Sequence, residues 1–191
     1  MNTIKELKSV IVKKDLISKL KYKNEKQVPR VKSIILHIGC RNQDLKSTAK
    51  AVFALKTITG DKGRLTRSKK TNLRFNTKKN TPSGAIVEIK GKKMSGFYDT
   101  LITEVLPKCS QESTAVILKS GRALHLTIRS SDILAFESLG FNSYLVKGLP
   151  TMTISFMFDR HLDKKEQALL LPNLCVKAYI TQSGRVQPCQ G

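Results

Sequence analysis

Short apolar runs rich in β-branched residues alternate along this chain with segments of helical periodicity, and this alternation constrains the fold more than any other feature. The runs at 33–38 and 85–90 are each followed by glycine and predict strands. Segments 44–59 and 94–108 instead repeat their apolar residues at helical spacing. Further strands are predicted at 64–67, 114–119, 123–129 and 151–158. This order indicates an α+β fold, a mostly antiparallel sheet with helices packed on one face and the other face free to meet a partner.

The two central helices have recognisable ends and apolar sides. Asp44 is a candidate N-cap for the first helix, and Gly60 is a candidate C-terminal stop. The side chains expected to face the core are Leu45, Ala49, Val52, Phe53, Ile58, Phe97, Leu101, Ile102 and Val105.

The two ends of the chain are less regular than its middle. Residues 1–21 carry an apolar stripe and predict an N-terminal helix, and 163–171 predict a short helix broken by Pro172. We therefore expect a single domain over 1–171, followed by a weakly structured C-terminal extension over 172–191.

One stretch, 62–79, carries eight Lys or Arg and no acidic residue. A chain rarely concentrates like charges in this way unless an anionic partner faces them, because they repel one another. Nucleic acid is the commonest such partner, since basic side chains release the counterions condensed on its phosphates. Turn-forming residues follow at 80–84, so the stretch is expected to form a basic loop between the second and third strands. The alternative interpretation is a solvated loop without a partner.

The net charge of +21 is concentrated in one half of the chain. Residues 1–93 hold 25 basic and 6 acidic side chains, whereas 94–191 hold 10 and 8. The first half is therefore expected to present a binding surface and the second half to serve as scaffold. There is no Trp and no apolar run as long as a membrane span, so nucleic acid is favoured over a membrane as the partner.

The sequence indicates neither catalytic chemistry nor a metal centre. His37 and Cys40 have the spacing of half a metal site, but His37 lies inside a predicted strand. No nucleophile, phosphate-loop or zinc-protease motif occurs, and the charges at 159–161 are interpreted as a solvated turn. The cysteines, which lack C-x-x-C spacing and are expected to be reduced thiols, are Cys40, Cys109, Cys175 and Cys189. We expect no enzymatic activity, no metal and no cofactor.

Short motifs occur in order through the first half of the chain. Residues 55–60 are LKTITG, residues 65–70 are LTRSKK and residues 90–94 are KGKKM. They resemble the LITGQ, VTRAKKS and LRGxRM motifs of the large ribosomal subunit protein "five" family, the 5S-rRNA-associated protein of the central protuberance. The resemblance is strong over 22–108 and weaker over the divergent half, 109–171. It implies a structural ribosomal protein that acts in translation.

The resemblance also implies which residues bind RNA. In this family the loop between the second and third strands reaches toward the elbow of the tRNA in the peptidyl site, and here that loop spans 68–81. The implied tRNA-contacting residues are Lys69, Lys70, Arg74, Lys78 and Lys79. The implied rRNA-binding residues are Arg30, Lys32, His37, Arg64, Arg67, Lys90 and Lys92. Phosphate contacts of this kind carry no sequence information, which suits a protein that must accept every tRNA.

Four positions depart from the family's RNA-facing pattern. His37, Asp61, Glu88 and Lys90 stand where the family usually has Asn, Gln, Thr and Arg. Lysine lacks the bidentate fork of arginine, and the two carboxylates repel phosphates unless each is paired with a lysine. The family's DFRG motif also has no counterpart at 110–113. We therefore expect that binding to 5S rRNA is weakened, or that this RNA is divergent or absent.

Composition and divergence together favour a mitochondrial ribosome. The excess of Lys over Arg, 26 against 9, is typical of AT-rich genomes, which include many organelle genomes. Glu6, Asp15 and the absence of Arg before Arg30 argue against a transit peptide. We expect an organelle-encoded protein of the mitochondrial matrix, with bacterial cytoplasm or a plastid as the alternative.

The partners implied by the resemblance are rRNA, peptidyl-site tRNA, neighbouring proteins of the central protuberance and a small-subunit head protein. The alternative function is that of a free-standing RNA-binding factor in ribosome assembly, which would share the basic loop.

Overall fold

The computed structural model describes residues 17–19, 22, 27–40, 45–71, 78–109, 114–117, 121–163 and 166. The predicted cap at Asp44, the loop residue Arg74 and the extension at 172–191 lie outside these residues, as does most of the helices predicted over 1–21 and 163–171.

The strands form one antiparallel sheet, which confirms the predicted fold class. They are β1 (Val31–Gly39), β2 (Arg64–Arg67), β3 (Pro82–Ile89), β4 (Thr114–Ile117), β5 (Ala123–Ile128) and β6 (Met152–Phe158). Their order across the sheet is β2-β3-β1-β6-β5-β4. The first strand is therefore central and pairs with both halves of the chain, since Leu36 lies opposite Val87 of β3 and Ile154 of β6.

Helices connect the strands and cover one face of the sheet. They are α1 (Leu45–Thr59) and α2, which begins as Gly91–Thr100, continues as a π-helical turn over Leu101–Val105 and ends with Leu106–Lys108. Two 3₁₀ segments, Asp132–Ala135 and Glu137–Val146, connect β5 to β6. The segment around Gly140 is therefore helical on both sides of a backbone kink.

The core lies between this helical layer and alternate side chains of the strands. On β1 the buried positions are Ile34, Leu36 and Ile38, which are at most 1% exposed. The other core residues of the sheet are Ala85, Val87, Ile89, Leu124, Leu126, Ile128, Met152, Ile154, Phe156 and Phe158. The second helix contributes Phe97, Leu101 and Val105, as predicted. A period of two on the strands and of three to four on the helices places all these residues in one layer.

The side of α1 that faces the core differs in part from the prediction: Val52 and Ile58 pack against the core as expected, but Leu45, Ala49 and Phe53 are exposed. The buried residues are Thr48, Ala51, Ala54 and Leu55, whereas Leu45 is 74% exposed and Phe53 is 36% exposed. Small side chains allow the helix to approach the sheet closely, and this contact outweighs the larger apolar residues on the adjoining side. The predicted end of the helix is confirmed, because Gly60 has a left-handed φ of 71°.

A side-chain cluster joins the chain before β1 to the chain after β6. The Tyr22 hydroxyl and Arg160 Nη2 both donate to Oε1 of Glu166, the latter over 2.5 Å, and the Asp163 N–H donates to Oε2 over 2.9 Å. Burial and the Glu166 carboxylate raise the pKa of Tyr22 to about 12. The turn at 159–161 is thus not simply solvated, because Arg160 takes part in this cluster.

Candidate nucleic-acid interface

The second face of the sheet is accessible on β2, β3 and β1. Arg64, Ile86 and His37 lie side by side in register, and Glu88 lies opposite Ile35. We define the accessible face as the exposed or half-buried residues Ile35, His37, Arg64, Thr66, Ile86 and Glu88. Farther along the same face Ser155 of β6 is buried. The face expected to be free for RNA is therefore accessible on the side where the basic loop begins.

The basic loop has an ordered root. It leaves the edge strand β2 and returns to β3, and the Ser68 N–H donates to the Thr81 carbonyl over 2.9 Å. The Asn80 N–H donates back to the Ser68 carbonyl over 2.9 Å, with Asn80 in a left-handed conformation at φ 66°. These bonds extend the β2–β3 hairpin by one step and fix the direction in which both arms of the loop leave the sheet.

The structure brings together the predicted loop lysines that it describes. Lys69 and Lys70 lie on the outgoing arm, Lys78 and Lys79 lie on the returning arm, and all of them are exposed. The Lys79 N–H donates to the Thr71 hydroxyl over 3.2 Å, which holds the two arms together. Four like charges therefore converge on a short hairpin root, an arrangement that an anion stabilises.

The other predicted cations do not form one patch but extend along the strands. Arg67 lies at the root of the loop, opposite Pro82, and Arg64 lies on the accessible face. Because β1 and β3 are antiparallel, the exposed residues Lys32 and Lys90 lie at the opposite end of these strands. Arg30 lies at that end too, where its N–H donates to Oδ1 of Asp159 over 3.1 Å. Lys92 is exposed in the first turn of α2.

Both carboxylates that depart from the family pattern are paired with lysines. Glu88 Oε1 lies 3.0 Å from Lys90 Nζ, and Asp61 Oδ1 accepts a hydrogen bond from Lys93 Nζ. The hydrogen bonds from Lys90 and from Ser33 lower the pKa of Glu88, so its carboxylate is ionised at neutral pH. Each pair has no net charge, so the sheet neither repels phosphates at these points nor offers them an uncompensated cation.

The two strand histidines are neutral hydrogen-bonding groups rather than cations. Burial lowers the pKa of His37 on β1 and of His125 on β5. His125 Nδ1 lies 2.7 Å from the Ser155 hydroxyl, and its buried Nε2 meets no partner in the described part of the chain. His37 can therefore contribute a hydrogen bond to RNA but no charge at neutral pH.

Two residues of this surface could not be identified from the sequence. Lys93 was not recognised as the partner of Asp61, because the two are 32 positions apart and no local pattern joins them. Ser33 lies at the start of a predicted strand, but the sequence does not show that it also lowers the pKa of Glu88. The only available signal was the excess of lysine around 90–93, which does not specify a partner.

The described part of the chain shows neither a metal-binding cluster nor a membrane-spanning helix. Among the residues that the structure describes, no three His, Cys, Asp or Glu are grouped so as to hold a metal ion. The described helices include none long and apolar enough to cross a membrane. Cys40 and Cys109 are not in disulfides, and the other two cysteines lie outside the described ranges.

Similar proteins are known from several sources. No protein-family model matches the chain. It is 39% identical over 107 residues to large ribosomal subunit protein uL5c of Oedogonium cardiacum, which covers 55% of this chain and 59% of the relative. It is 32% identical over 141 residues to large ribosomal subunit protein uL5m of Reclinomonas americana, which covers 73% of this chain and 78% of the relative. The chain belongs to the uL5 family.

Family membership confirms the resemblance and the expectation that the chain is not an enzyme, since uL5 proteins are structural components of the large ribosomal subunit. A bacterial uL5, from Aquifex pyrophilus, is 37% identical over 106 residues, which covers 54% of this chain and 56% of the relative. The chain thus spans less than two thirds of the chloroplast and bacterial uL5 proteins that it matches. Its uL5 relatives come from chloroplasts, mitochondria and bacteria.

Proposed function

We propose that this chain is a structural constituent of the large ribosomal subunit that binds rRNA in the central protuberance and contacts the elbow of the peptidyl-site tRNA through its basic loop. The observation that carries the proposal is the convergence of Lys69, Lys70, Lys78 and Lys79 on a hairpin root beside the accessible face. Arg74 belongs to the same loop by sequence and adds a further cation to the proposed contact. The lysine ammonium group acts as a point charge on a flexible side chain. Such a group can contact the phosphates of any tRNA, which suits a partner that is exchanged in every elongation cycle.

The accessible face is proposed to bind rRNA with fewer charge contacts than the loop. Lys90 is engaged by Glu88, so binding on this face relies on Arg64, with His37 as a neutral hydrogen-bonding group. Arg67 at the root of the loop and Lys92 at the start of α2 add charge beside the face. Arg30, just before β1, and Lys32, at the start of β1, extend the same contact to that end of the strand. Affinity for a 5S rRNA is therefore weaker than that of a family member with free cations on this face, or the RNA is a divergent substitute.

The proposed location is the mitochondrial ribosome, in the matrix, with an organelle gene. Support comes from the uL5m relative, whose alignment covers 73% of this chain against 55% for the Oedogonium relative, and from the lysine-rich composition. Proposed protein partners are the neighbouring proteins of the central protuberance and a small-subunit head protein across the interface.

Ultraviolet crosslinking in native particles, followed by sequencing of the attached RNA, tests the proposal. We expect crosslinks from the accessible face to rRNA and from the loop to tRNA. Crosslinks to large-subunit rRNA and tRNA, without a 5S-like RNA, would mean that the sheet has changed its ligand while the loop has kept its own. Recovery of neither RNA would refute the proposal.

Sedimentation separates this function from that of a free-standing assembly factor. A ribosomal protein remains with large subunits through a gradient of moderate salt, because many contacts hold it in place. A chain found only with free RNA or precursor particles would be an assembly factor instead.

A further inference from the structure

The Glu88 side chain is placed to meet whatever covers the accessible face. It lies on β3 opposite Ile35 of the central strand, and 46% of the side chain is exposed. Arg64, on the neighbouring strand, is close enough for its charge to act on the same carboxylate. An RNA strand that uses Arg64 as a phosphate contact therefore passes next to Glu88.

The carboxylate is engaged on one side and open to solvent on the other. Lys90 Nζ lies 3.0 Å from Oε1, and Lys90 and Ser33 together lower the pKa of Glu88, so the carboxylate is ionised. An ionised carboxylate offers about four acceptor positions and no donor, so about two remain for a ligand. An acceptor fixed at this point discriminates between ligand groups, because it binds N–H or O–H groups and repels other acceptors.

Local charge favours the close approach of RNA despite the carboxylate. Glu88 and Lys90 compensate each other, and Arg64 leaves the group with one positive charge. The phosphates of an approaching strand are acceptors and cannot bind Glu88. The donors that RNA offers are the N–H groups of its base edges and the ribose 2′-hydroxyls.

Guanine is the base that fits this acceptor best. Its Watson–Crick edge presents N1–H and N2–H side by side, which matches the two oxygens of a carboxylate. In cytosine, adenine and uracil the corresponding donor is flanked by an acceptor atom, which the carboxylate repels. The edge is available only where a base is unpaired, as in loops and bulges.

We propose that the Glu88 carboxylate recognises the N–H groups of an unpaired guanine in the RNA bound to the accessible face, an inference that rests on the proposed function. Glu88 is then a specificity-determining residue, whereas Arg64 and the loop lysines provide sequence-independent affinity.

Inosine interference provides the test. A bacterial-type 5S rRNA is transcribed with part of its guanosine replaced by inosine, which lacks the N2 amino group, and is bound to the full chain. We expect inosine at one position to weaken binding about tenfold in the unmodified protein and by no more than about twofold in Glu88→Gln. Glu88 is exposed on its strand, so the variant is expected to fold, which circular dichroism verifies.

Glu137→Gln is the matched control, because it also removes an exposed carboxylate paired with a lysine, Lys108, but lies outside the accessible face. It should leave the interference map unchanged. Identical maps for the unmodified protein and Glu88→Gln, no guanosine interference at all, or interference only by 2′-deoxy nucleotides would each overturn the inference. Failure to bind both this RNA and large-subunit rRNA would refute the proposed function as well, so the two failures are distinguishable.

Discussion

Gly84 on β3 allows β3 and β1 to approach closely next to the root of the basic loop. A Cβ on Gly84 would lie 2.3 Å from the carbonyl oxygen of Ile38 and 3.1 Å from the Cα of Gly39. Both neighbours are backbone atoms of the central strand, so they cannot move aside without breaking the β1–β3 pairing. The need for glycine here follows from close strand approach and not from an unusual φ.

We expect Gly84→Ala to lower the free energy of unfolding by about 1–3 kcal/mol, because the added methyl group overpacks this contact. Urea denaturation followed by circular dichroism measures the loss. Gly96→Ala is the matched control, since a Cβ there meets nothing within 4 Å, and it should be neutral or slightly stabilising in a helix. Equal effects of the two changes would contradict the packing argument.

The two neutral histidines make stability depend on pH. Burial lowers the pKa of His37 and His125 in the folded chain below the usual 6.5. As the pH falls below 6.5, the two histidines take up protons in the unfolded chain before they do so in the folded chain. The stability present at higher pH is therefore lost as the pH falls through the folded pKa values. We expect the free energy of unfolding to decline from pH 7.5 to pH 5, at which value carboxylates still contribute little. The double variant His37→Gln, His125→Gln should show a shallower decline, and an unchanged slope would contradict the assignment.

At the scale of single elements, strands and helices could be predicted but their partners could not. The β-branched run that forms β1 specifies an extended segment by itself, and β2 has the predicted bounds. The buried side of α1 was predicted only in part, because Val52 and Ile58 pack against the core but Leu45 and Phe53 are exposed and the sheet accepts Ala51 and Ala54 instead. Which apolar side of a helix becomes buried depends on the shape of the element that it packs against, and a local sequence pattern does not contain this shape.

The candidate interface shows the same division between local and non-local information. The charge run of the loop is a local feature, and its lysines lie together as the sequence predicted. The pairing of Asp61 with Lys93 depends on how the end of α1 meets the start of α2. Sequence alone therefore left open whether the two carboxylates repel phosphates or are paired with lysines, whereas the structure shows two compensated pairs.

The loop is expected to act through charge alone. For tRNA binding, a plot of log K against log salt concentration has a negative slope, because each lysine–phosphate contact releases counterions. We expect the double variant Lys69→Gln, Lys70→Gln to make this slope shallower by about 1 per lysine. Filter binding over a salt series measures it. Lys50→Gln with Lys56→Gln is the matched control, because these exposed lysines lie on α1 away from the loop. A slope reduced equally by both pairs would argue for general attraction rather than a loop contact.

The compensated pairs predict a gain of affinity on mutation. Asp61→Gln with Glu88→Thr releases Lys93 and Lys90, so binding to a bacterial-type 5S rRNA should tighten and its salt slope should steepen by about 1–2. Gel-shift titration at several salt concentrations provides the measurement. Discrimination at the guanine proposed for Glu88 should disappear in the same variant. No gain in affinity would contradict the view that the carboxylates weaken RNA binding.

At the scale of the whole molecule, the best-matching half and the divergent half share one sheet. The central strand pairs over its length with β3 from one half and with β6 from the other. The core is one cluster that includes residues of both, among them Leu36, Val105 and Phe156. Sequence divergence in 109–171 therefore does not mark a separable unit.

We expect the full chain to unfold in one transition and a fragment of residues 1–109 not to fold. The fragment would leave one edge of β1 unpaired and its apolar face partly uncovered, which favours aggregation. Coincident urea transitions by far-ultraviolet circular dichroism and tyrosine fluorescence test the first expectation, since the chain has 4 Tyr and no Trp. A soluble fragment with its own cooperative transition would show that the halves are independent.

The central position of β1 has a consequence for how the chain is made. This strand is the first of the sheet to be synthesised, and one of its two partners, β6, is the last. Contacts between positions so distant in sequence give the fold a high contact order. The entropy cost of closing the long loop between these strands must be met before their contacts can stabilise the fold. During translation β1 therefore waits with one edge unpaired until residue 158 has emerged, a period in which the nascent chain is open to aggregation. We expect its synthesis to depend on chaperones more strongly than that of a helical protein of equal length.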